Sequence, residues 1–376
     1  MNQRTTAPPV ARSRVFPRFR RPVIVRAPAA RGRRARQDAR RAVLWGAFAI
    51  ALANAALSVA LETVLPQVRD PEYGVRMVRL RAQQRAHPDR PLVVMVGTSR
   101  TQNGIDPGAM PFPDEPGSPL VFNFGQSGTR PVNLRLNLQR IRAAGVRPTA
   151  VLVEILPTTL GVGGPLDAMP FAPERYTASD LEWLKPYLAD PAAARRRWAA
   201  ARVNPWPAHG QAVANHLLPE WQPWAARIDQ LWTQTDARGF GPYQYETTTN
   251  ASRSRRRAEV ERESVPALRD LRVSALAGES LRGLVADCRA WGVPVAFYQM
   301  PESPVYRSWY SAESRAEVAA FERVLRDELG CPVFPAPTDF AEDDFADGHH
   351  MLRPAAAKYS RWLAGEHLQT WLAGGR

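Results

Sequence analysis

The chain of 376 residues is 45% hydrophobic and 23% charged, a composition typical of a folded globular protein and too apolar for general disorder. Its formal net charge of +14 is concentrated at the N-terminus, where residues 1–41 contain 13 arginines and one acidic residue, Asp38. The rest of the chain is therefore nearly neutral, and nothing in it requires a nucleic-acid-binding face. Two cysteines exclude a disulfide-dense scaffold and a multi-cysteine zinc module.

The first sixty residues predict a membrane anchor. Residues 1–41 are predicted to be a disordered basic arm, because they contain five prolines and have no apolar period. Residues 42–61 carry no charge and, as a helix, would rise about 30 Å, the thickness of a hydrocarbon core. We expect a transmembrane signal-anchor helix over 42–62, with the N-terminus cytoplasmic by the positive-inside rule. A cleaved signal peptide is the alternative, although the basic region and the apolar run are both long for one.

Apolar runs alternate with helical segments after the anchor. Residues 63–90 are predicted to be a helical stalk. Short apolar runs predict five buried strands, over residues 91–96, 120–124, 150–156, 293–298 and 332–334. The segments between and after them predict helices over residues 133–144, 275–291, 313–329 and 354–372. This alternation predicts an α/β fold with a parallel sheet that is covered by helices on both faces.

The stretch from residue 158 to residue 262 interrupts this alternation. It contains six of the eleven tryptophans and no clear succession of strands and helices. We interpret it as a partly helical insertion after the third strand, in the position of a lid. Its tryptophans either pack a small helical subdomain or face a sugar or a membrane.

Two of the predicted strands end in short polar turns that suit catalysis. Gly97-Thr98-Ser99 follows the first strand, so the hydroxyl and the backbone N–H of Ser99 can point to one place at the mouth of the sheet. The same residues also make common turns and helix caps. The second strand is followed by residues 123–128, in which a free N–H at Gly125 would help to hold an oxyanion. An ordinary turn between a strand and a helix is the alternative there.

A third motif, Asp-Gly-His-His at residues 347–350, precedes the predicted last helix. Asp347 can hold the tautomer of the His350 imidazole while the other ring nitrogen reaches a serine at a neighbouring strand end. Paired histidines also ligate metals, and Asp343 and Asp344 lie close by in the sequence. A metallohydrolase is therefore the competing enzyme hypothesis.

Together these motifs resemble those of the SGNH (GDSL-like) hydrolase superfamily. The superfamily's first block is matched by Gly97-Thr98-Ser99, its second by Gly125, and its last by Asp347 and His350. The resemblance covers about residues 91–160 and 265–372 and leaves the insertion unmatched.

The resemblance implies a flavodoxin-like three-layer α/β/α sandwich with a catalytic triad of Ser99, His350 and Asp347. It also implies an oxyanion hole formed by the N–H groups of Ser99 and Gly125, and neither a metal nor an organic cofactor. The anchor and the sequence Gly-Thr-Ser-Arg look like those of bacterial cell-envelope members, some of which move or remove acyl groups on surface polysaccharides. We therefore expect a single-pass protein of the bacterial inner membrane with a periplasmic or extracellular domain. Its substrates would be acyl esters or glycans, with a membrane acyl donor as a partner and no nucleic acid.

The sequence departs from the family pattern in two places. Thr98 replaces the usual aspartate of the first block, which is not a triad member. The Gly-x-Asn-Asp of the third block is absent, and the third strand carries Glu154 near its end. Loss of one oxyanion donor can cost about 3 kcal/mol of transition-state stabilisation, and an ionised carboxylate cannot donate. Asn103, Gln126 or another amide, such as that of Asn123, would have to supply the missing donor. If none of them does, we expect turnover to be poor.

The sequence thus predicts a serine esterase or O-acyltransferase in residues 91–372. We expect His350 to take the proton of Ser99 as the hydroxyl attacks an ester carbonyl, with His349 as the fallback base. Water would resolve the acyl-enzyme in an esterase, and a sugar hydroxyl would resolve it in a transferase. The alternative is a catalytically degenerate SGNH-like domain that binds envelope glycan or an assembly partner, which the missing asparagine and the tryptophan-rich insertion favour.

The two cysteines leave two alternatives open. Cys288 and Cys331 can pair in an oxidising compartment, where the bond would close a loop of about 42 residues. They can equally remain as buried free thiols.

Overall fold

The structure is a computed structural model that describes residues 29–161, 172–223, 227, 230–243 and 248–374. It forms two compact units, Met1–Ala53 and Asn54–Arg376. The first unit contains the beginning of a long helix, α1, which runs over Ala29–Thr63. The second unit contains the end of that helix and the whole of the sheet.

The sheet has five strands, all parallel, in the order β2-β1-β3-β4-β5. This is the flavodoxin order, which the resemblance implies. The strands are β1 (Leu92–Gly97), β2 (Leu120–Gly125), β3 (Ala150–Ile155), β4 (Val295–Gln299) and β5 (Val333–Phe334). Gly97 and Gly125 are partners in the register of β1 and β2, so the turns that follow these two strands begin side by side at the carboxyl edge of the sheet.

The helices after α1 divide into those of the sandwich and those of the insertion. The sandwich has α2 (Pro66–Arg69), α3 (Pro71–Ala86), α4 (Ser99–Gly104), α5 (Pro131–Ala143) and α6 (Pro157–Leu160) before the insertion. The insertion contributes α7 (Ala178–Leu184), α8 (Pro191–Val203), α9 (Trp206–Leu217), α10 (Gln230–Thr233) and α11 (Asn250–Arg269). The sandwich then resumes with α12 (Ala275–Ala290), α13 (Pro304–Ser308), α14 (Ala312–Arg323), α15 (Arg353–Leu363) and α16 (Gln369–Gly374).

Alternate residues of each strand pack into two cores, one on each face of the sheet. Val94 and Val96 of β1 join the core that α5 and α12 cover. Val93 and Met95, on the opposite face of the same strand, join the core that α15 covers. Because successive side chains of a strand point to opposite faces, a strand that is apolar throughout is buried on both. The three layers predicted from the continuous apolar runs are therefore confirmed.

Two features of the chain differ from or refine the predictions. The basic arm was predicted to be disordered through residue 41, but α1 begins at Ala29, since Arg, Ala and Gln in this stretch are good helix formers. Residues 1–28 lie outside the described residues. Of the insertion's tryptophans, Trp183 and Trp198 pack against a small apolar cluster, whereas Trp206 and Trp221 are exposed. Packing within the insertion thus accounts for two of these tryptophans, and a sugar- or membrane-facing role for the exposed ones stays a prediction.

The N-terminal helix meets the length and composition of a membrane span. Within α1, Arg34–Thr63 is long and apolar enough to cross a bilayer.

The two cysteines are free thiols in this structure, and both are buried. Burial and the charge of neighbouring Asp287 raise the pKa of Cys288 to about 12, so its thiol stays protonated at neutral pH.

Candidate active site

The turn after β1 is built around Ser99, the first residue of α4. Thr98 caps this helix, and its hydroxyl oxygen accepts a hydrogen bond from the Arg100 N–H at 3.2 Å. Gly97 is required by close packing, because a Cβ at this position would lie 1.8 Å from Oγ1 of Thr101 and 2.5 Å from Oε2 of Glu154. The sharp turn thus brings the serine to the carboxyl edge of the sheet, where open α/β sheets bind their ligands.

Ser99, His350 and Asp347 form one chain of hydrogen bonds. Oγ of Ser99 lies 2.7 Å from Nε2 of His350, and Nδ1 of His350 lies 2.7 Å from Oδ2 of Asp347. An ionised carboxylate only accepts, so Nδ1 carries the proton and Nε2 is left to accept the serine hydroxyl. The structure therefore brings Ser99 to His350, which lies 251 positions further along the chain, and His350 to Asp347.

Asp347 is held in its ionised form by the loop that carries it. Its Oδ1 accepts from the backbone N–H of His350 at 2.9 Å and from that of His349 at 3.2 Å. Burial alone would raise the pKa of this carboxyl group, but the charge of His350 and these hydrogen bonds hold it well below its ordinary value. A permanently ionised Asp347 can fix the ring of His350 and stabilise the imidazolium.

His349 lies beside the triad but does not contact Ser99. Its ring packs against Tyr306 with 5.1 Å between the ring centroids. Burial, followed by the charge of His350, lowers its pKa well below the ordinary value, so it stays neutral. The base that the structure places on Ser99 is thus His350, and His349 remains a fallback only if the loop moves.

Asp347, His349 and His350 also have the donor types of a metal site. One ligand atom from each lies within 4.8 Å of the others. Both ring nitrogens of His350 are engaged by Ser99 and Asp347, so a metal would have to displace one of those hydrogen bonds. Asp343, one of the two nearby carboxylates that the sequence offers as a further ligand, pairs with Arg253 at 2.6 Å.

The expected oxyanion donor at Gly125 is not open in this structure. The Gly125 N–H donates to Oδ1 of Asn123 at 2.9 Å, so the prediction of a free N–H there is wrong for this conformation. The reason is the side chain of Asn123, whose Nδ2 donates to the carbonyls of Thr101 at 2.8 Å and Ile105 at 2.7 Å and thereby turns Oδ1 back towards its own strand.

The backbone N–H of Ser99 remains available. Among the described residues it makes no hydrogen bond. The side-chain oxygen of Thr98 accepts from the Arg100 N–H, and the Gly97 carbonyl accepts from the Gln126 N–H at 3.0 Å. A donor so close to the nucleophile suits an oxyanion.

The side-chain amides that the sequence offers as replacement donors differ in the hydrogen bonds that they already make. Nδ2 of Asn103 donates one of its two N–H groups to the carbonyl of Gly241 at 2.7 Å. Gln126 accepts from Asn137 at 2.7 Å through Oε1, while its buried Nε2 has no acceptor among the described residues. Of the three amides, that of Gln126 is therefore the one whose nitrogen makes no hydrogen bond within the described part of the chain.

Glu154, at the place of the missing asparagine, supports the turn of the nucleophile. Its Oε2 accepts from the Thr98 N–H at 2.6 Å and from Oγ1 of Thr101 at 2.7 Å, and the latter also contacts the Tyr298 hydroxyl at 2.7 Å. The side chain is fully buried beneath the turn. Glu154 thus positions the residues on both sides of Ser99 rather than facing the reacting oxygen.

A buried arginine balances that carboxylate. Nε of Arg100 lies 3.9 Å from Oε1 of Glu154, and Nη1 donates to Glu302 at 3.0 Å. Nη2 donates to the carbonyls of Met300 and Pro301 at 2.7 and 3.0 Å, at the end of β4. Burial would lower the pKa of Arg100, but Glu302 and Glu154 raise it above its ordinary value, so the guanidinium stays charged.

Part of the insertion returns to the active site. The Asn123 N–H on the free edge of β2 donates to the carbonyl of Arg238 at 2.9 Å, and the Gly241 N–H donates to the carbonyl of Gln102 at 3.1 Å. Tyr243 then stacks on the ring of His350, with 5.9 Å between the ring centroids and 25° between the planes. Sequence reasoning missed Tyr243, because nothing in the local pattern indicates which residue of the insertion reaches the site.

A cavity of about 290 Å³ opens at the same edge of the sheet, beyond the ends of β3 and β4. It is lined on one side by Gln299, Glu302 and Tyr310. Neither Ser99 nor His350 lines it, so the described cavity adjoins the support of Arg100 rather than the nucleophile.

No protein-family model and no curated protein matches this chain. The functional argument therefore rests on the geometry of the site.

Proposed function

We propose that this protein is a membrane-anchored serine esterase or O-acyltransferase that acts on acyl esters outside the cytoplasm. The observation that carries the proposal is the hydrogen-bond chain from Ser99 through His350 to Asp347, with both contacts at 2.7 Å. Such an arrangement is the one that activates a serine hydroxyl at neutral pH. Its position at the carboxyl edge of a parallel sheet supports the same conclusion.

The mechanism follows from the roles that the three side chains can take. Nε2 of His350 takes the proton as Oγ of Ser99 forms a bond to the ester carbonyl carbon. Asp347 holds the imidazolium, and the Ser99 N–H faces the oxygen that gains charge. His350 then returns the proton to the departing alcohol as the ester bond breaks. Water releases the acyl group in an esterase, whereas a sugar hydroxyl accepts it in a transferase.

The N-terminal helix supports the proposed location. Residues 1–41 place their arginines on the N-terminal side of the apolar run, so the positive-inside rule keeps that side cytoplasmic and puts the catalytic domain in the periplasm or outside the cell. A domain held at the envelope surface suits acyl esters of envelope glycans as substrates. A transferase of this topology needs an acyl donor on the same side, supplied by a membrane partner.

Hydrolysis of p-nitrophenyl acetate by the full-length protein in detergent tests the proposal. We expect turnover by the wild-type protein and its loss in Ser99→Ala. Ser127→Ala is the matched control, since Ser127 is an exposed serine after the neighbouring strand, and it should retain activity. Equal rates for the wild-type protein and Ser99→Ala would refute the serine mechanism, and loss of activity with a chelator would favour a metallohydrolase.

One observation favours a second candidate, a non-catalytic domain that binds envelope glycan or an assembly partner. The Gly125 N–H is taken by Asn123, and β3 offers Glu154 where the family places a donor. Of the two expected backbone donors, the Ser99 N–H alone is then open, and a single donor would stabilise an oxyanion weakly. Binding of glycan by a wild-type protein that hydrolyses no ester would support this candidate over the first.

A further inference from the structure

The end of the anchor helix is fixed to the insertion by polar contacts. Oγ of Ser58 donates to the carbonyl of Arg202 at 2.5 Å, and Nη2 of Arg202 donates to Glu62 at 2.6 Å. Arg69, which is buried, also pairs with Glu62. Ser58 belongs to the apolar run and Glu62 follows it directly. These contacts therefore hold the C-terminal end of the apolar run against the folded unit.

Apolar packing joins the same part of the helix to α9. Leu57 and Leu61 share one apolar cluster with Val68 of α2 and with Ala212 and Val213, which are buried residues of α9. Leu61 is the last residue of the charge-free run. If that run crosses a bilayer, α9 lies at the depth of its last turn, where the hydrocarbon meets the headgroups.

The chain around α9 is unusually rich in exposed apolar side chains. The chain contains no Asp, Glu, Lys or Arg from Val203 to Pro219, although 23% of the whole chain is charged. Beyond α1, most of the exposed large apolar side chains among the described residues belong to this stretch and the turn after it: Val203, Trp206, Leu217, Leu218 and Trp221. We call these five residues the α9 patch. Exposed large apolar side chains that are concentrated in one short segment indicate an interaction site.

The side chains of the two tryptophans in the α9 patch are exposed. Trp206 is 59% exposed and Trp221 is 78% exposed. A Cβ at Gly210 would lie 3.0 Å from the Trp206 ring, so the glycine lets the indole lie along its own helix. Tryptophan is enriched where membranes meet water, because its ring is apolar and its N–H is polar.

From these observations we infer that the α9 patch inserts into the outer-leaflet interface of the bilayer that the anchor crosses. The inference rests on the proposed anchor and goes beyond it, since it gives the catalytic unit a second contact with lipid. The occupant is phospholipid, because the apolar cluster that includes Ala212 and Val213 of α9 also includes Leu57 and Leu61, at the end of the run that is proposed to enter the bilayer.

Spin labelling of the full-length protein in lipid nanodiscs tests the inference. Nitroxide is attached at Trp206→Cys, Leu217→Cys and Trp221→Cys in separate variants, with the buried Cys288 and Cys331 retained. Glu328→Cys is the matched control, because this side chain is 62% exposed and follows α14 on the sandwich. We expect oxygen to reach the three patch labels more readily than a water-soluble nickel chelate does, and the order of accessibility to reverse at residue 328.

A fifth label, at Phe48→Cys in the anchor, separates the two proposals. Patch labels as accessible to the nickel chelate as the control, with the label at residue 48 protected, would overturn the inference and leave the anchor standing. A label at residue 48 that is open to the chelate would overturn both. Because the patch positions are exposed, labelling should leave the circular dichroism spectrum unchanged. The test uses three independent positions, so it does not depend on any one variant folding.

Discussion

The carboxyl edge of the sheet and the α9 patch depart from ordinary burial in opposite directions. The sheet edge buries charge, with Arg100 and Glu154 almost wholly inaccessible beneath the nucleophile. The patch exposes Trp206 and Trp221, which a folded domain usually hides. Buried charge is tolerated when it has partners, and larger exposed apolar patches mark interaction sites. The charges beneath the turn find their partners within the protein, whereas the partner that we propose for the α9 patch lies outside it.

The largest expected effect comes from breaking the hydrogen-bond chain at the sheet edge. We expect His350→Ala to lower kcat/KM for p-nitrophenyl acetate by about 10³-fold or more, because it removes the base and leaves Asp347 without a partner. His349→Gln should retain most of the activity, since that ring does not contact Ser99. Equal losses in the two variants would show that the loop as a whole, and not His350, is required.

The next effect comes from removing the charge beneath the turn. Glu154→Gln keeps the shape of the side chain but leaves Arg100 with one carboxylate fewer, so we expect the free energy of unfolding to fall by about 3 kcal/mol. Chemical denaturation in detergent measures this change. Asp339→Asn is the control, because it breaks an exposed pair with Lys358 and should leave the unfolding free energy within error. An unchanged stability in Glu154→Gln would mean that the buried pair does not hold the turn.

A smaller effect is expected from the buried side of α9, where His209 lies. Burial, followed by the charge of Arg202, lowers the pKa of His209 to about 4. Because the folded value lies below the ordinary 6.5, the neutral ring is favoured by folding, and this stability is present above pH 6.5 and lost as the pH falls towards 4. We expect a loss of about 2 kcal/mol between pH 7.5 and pH 5.

Unfolding free energies measured across this pH range check the prediction for His209. His209→Gln should flatten the pH dependence, since the amide does not titrate. His216→Gln, on the exposed side of the same helix, should leave the slope as it is in the wild-type protein. A slope that survives in His209→Gln would assign the pH dependence to other groups.

The sequence predicted the sheet and the triad because both follow from local pattern and chain order. Continuous apolar runs identified the strands, and the rule that parallel strands end together placed Ser99 at the active edge. The spacing of Asp347 and His350 then predicted their contact. These inferences need no knowledge of how side chains pack between distant segments.

The parts that sequence reasoning missed all depend on lateral packing. The role of Glu154 requires knowing that its side chain reaches under the turn of the neighbouring strand. The engagement of the Gly125 N–H depends on the rotamer of Asn123, which is set by carbonyls at the end of α4. Tyr243 reaches His350 only because the insertion pairs with the free edge of β2. No residue pattern records these relations.

The most direct test of the central claim is to treat the full-length wild-type protein with a fluorophosphonate probe and to map the adduct by mass spectrometry. An activated serine reacts with such a probe, whereas ordinary surface serines do not. The geometry predicts a single adduct on Oγ of Ser99. An unmodified protein, or an adduct on another serine, would contradict the assignment of Ser99 as a nucleophile activated by His350.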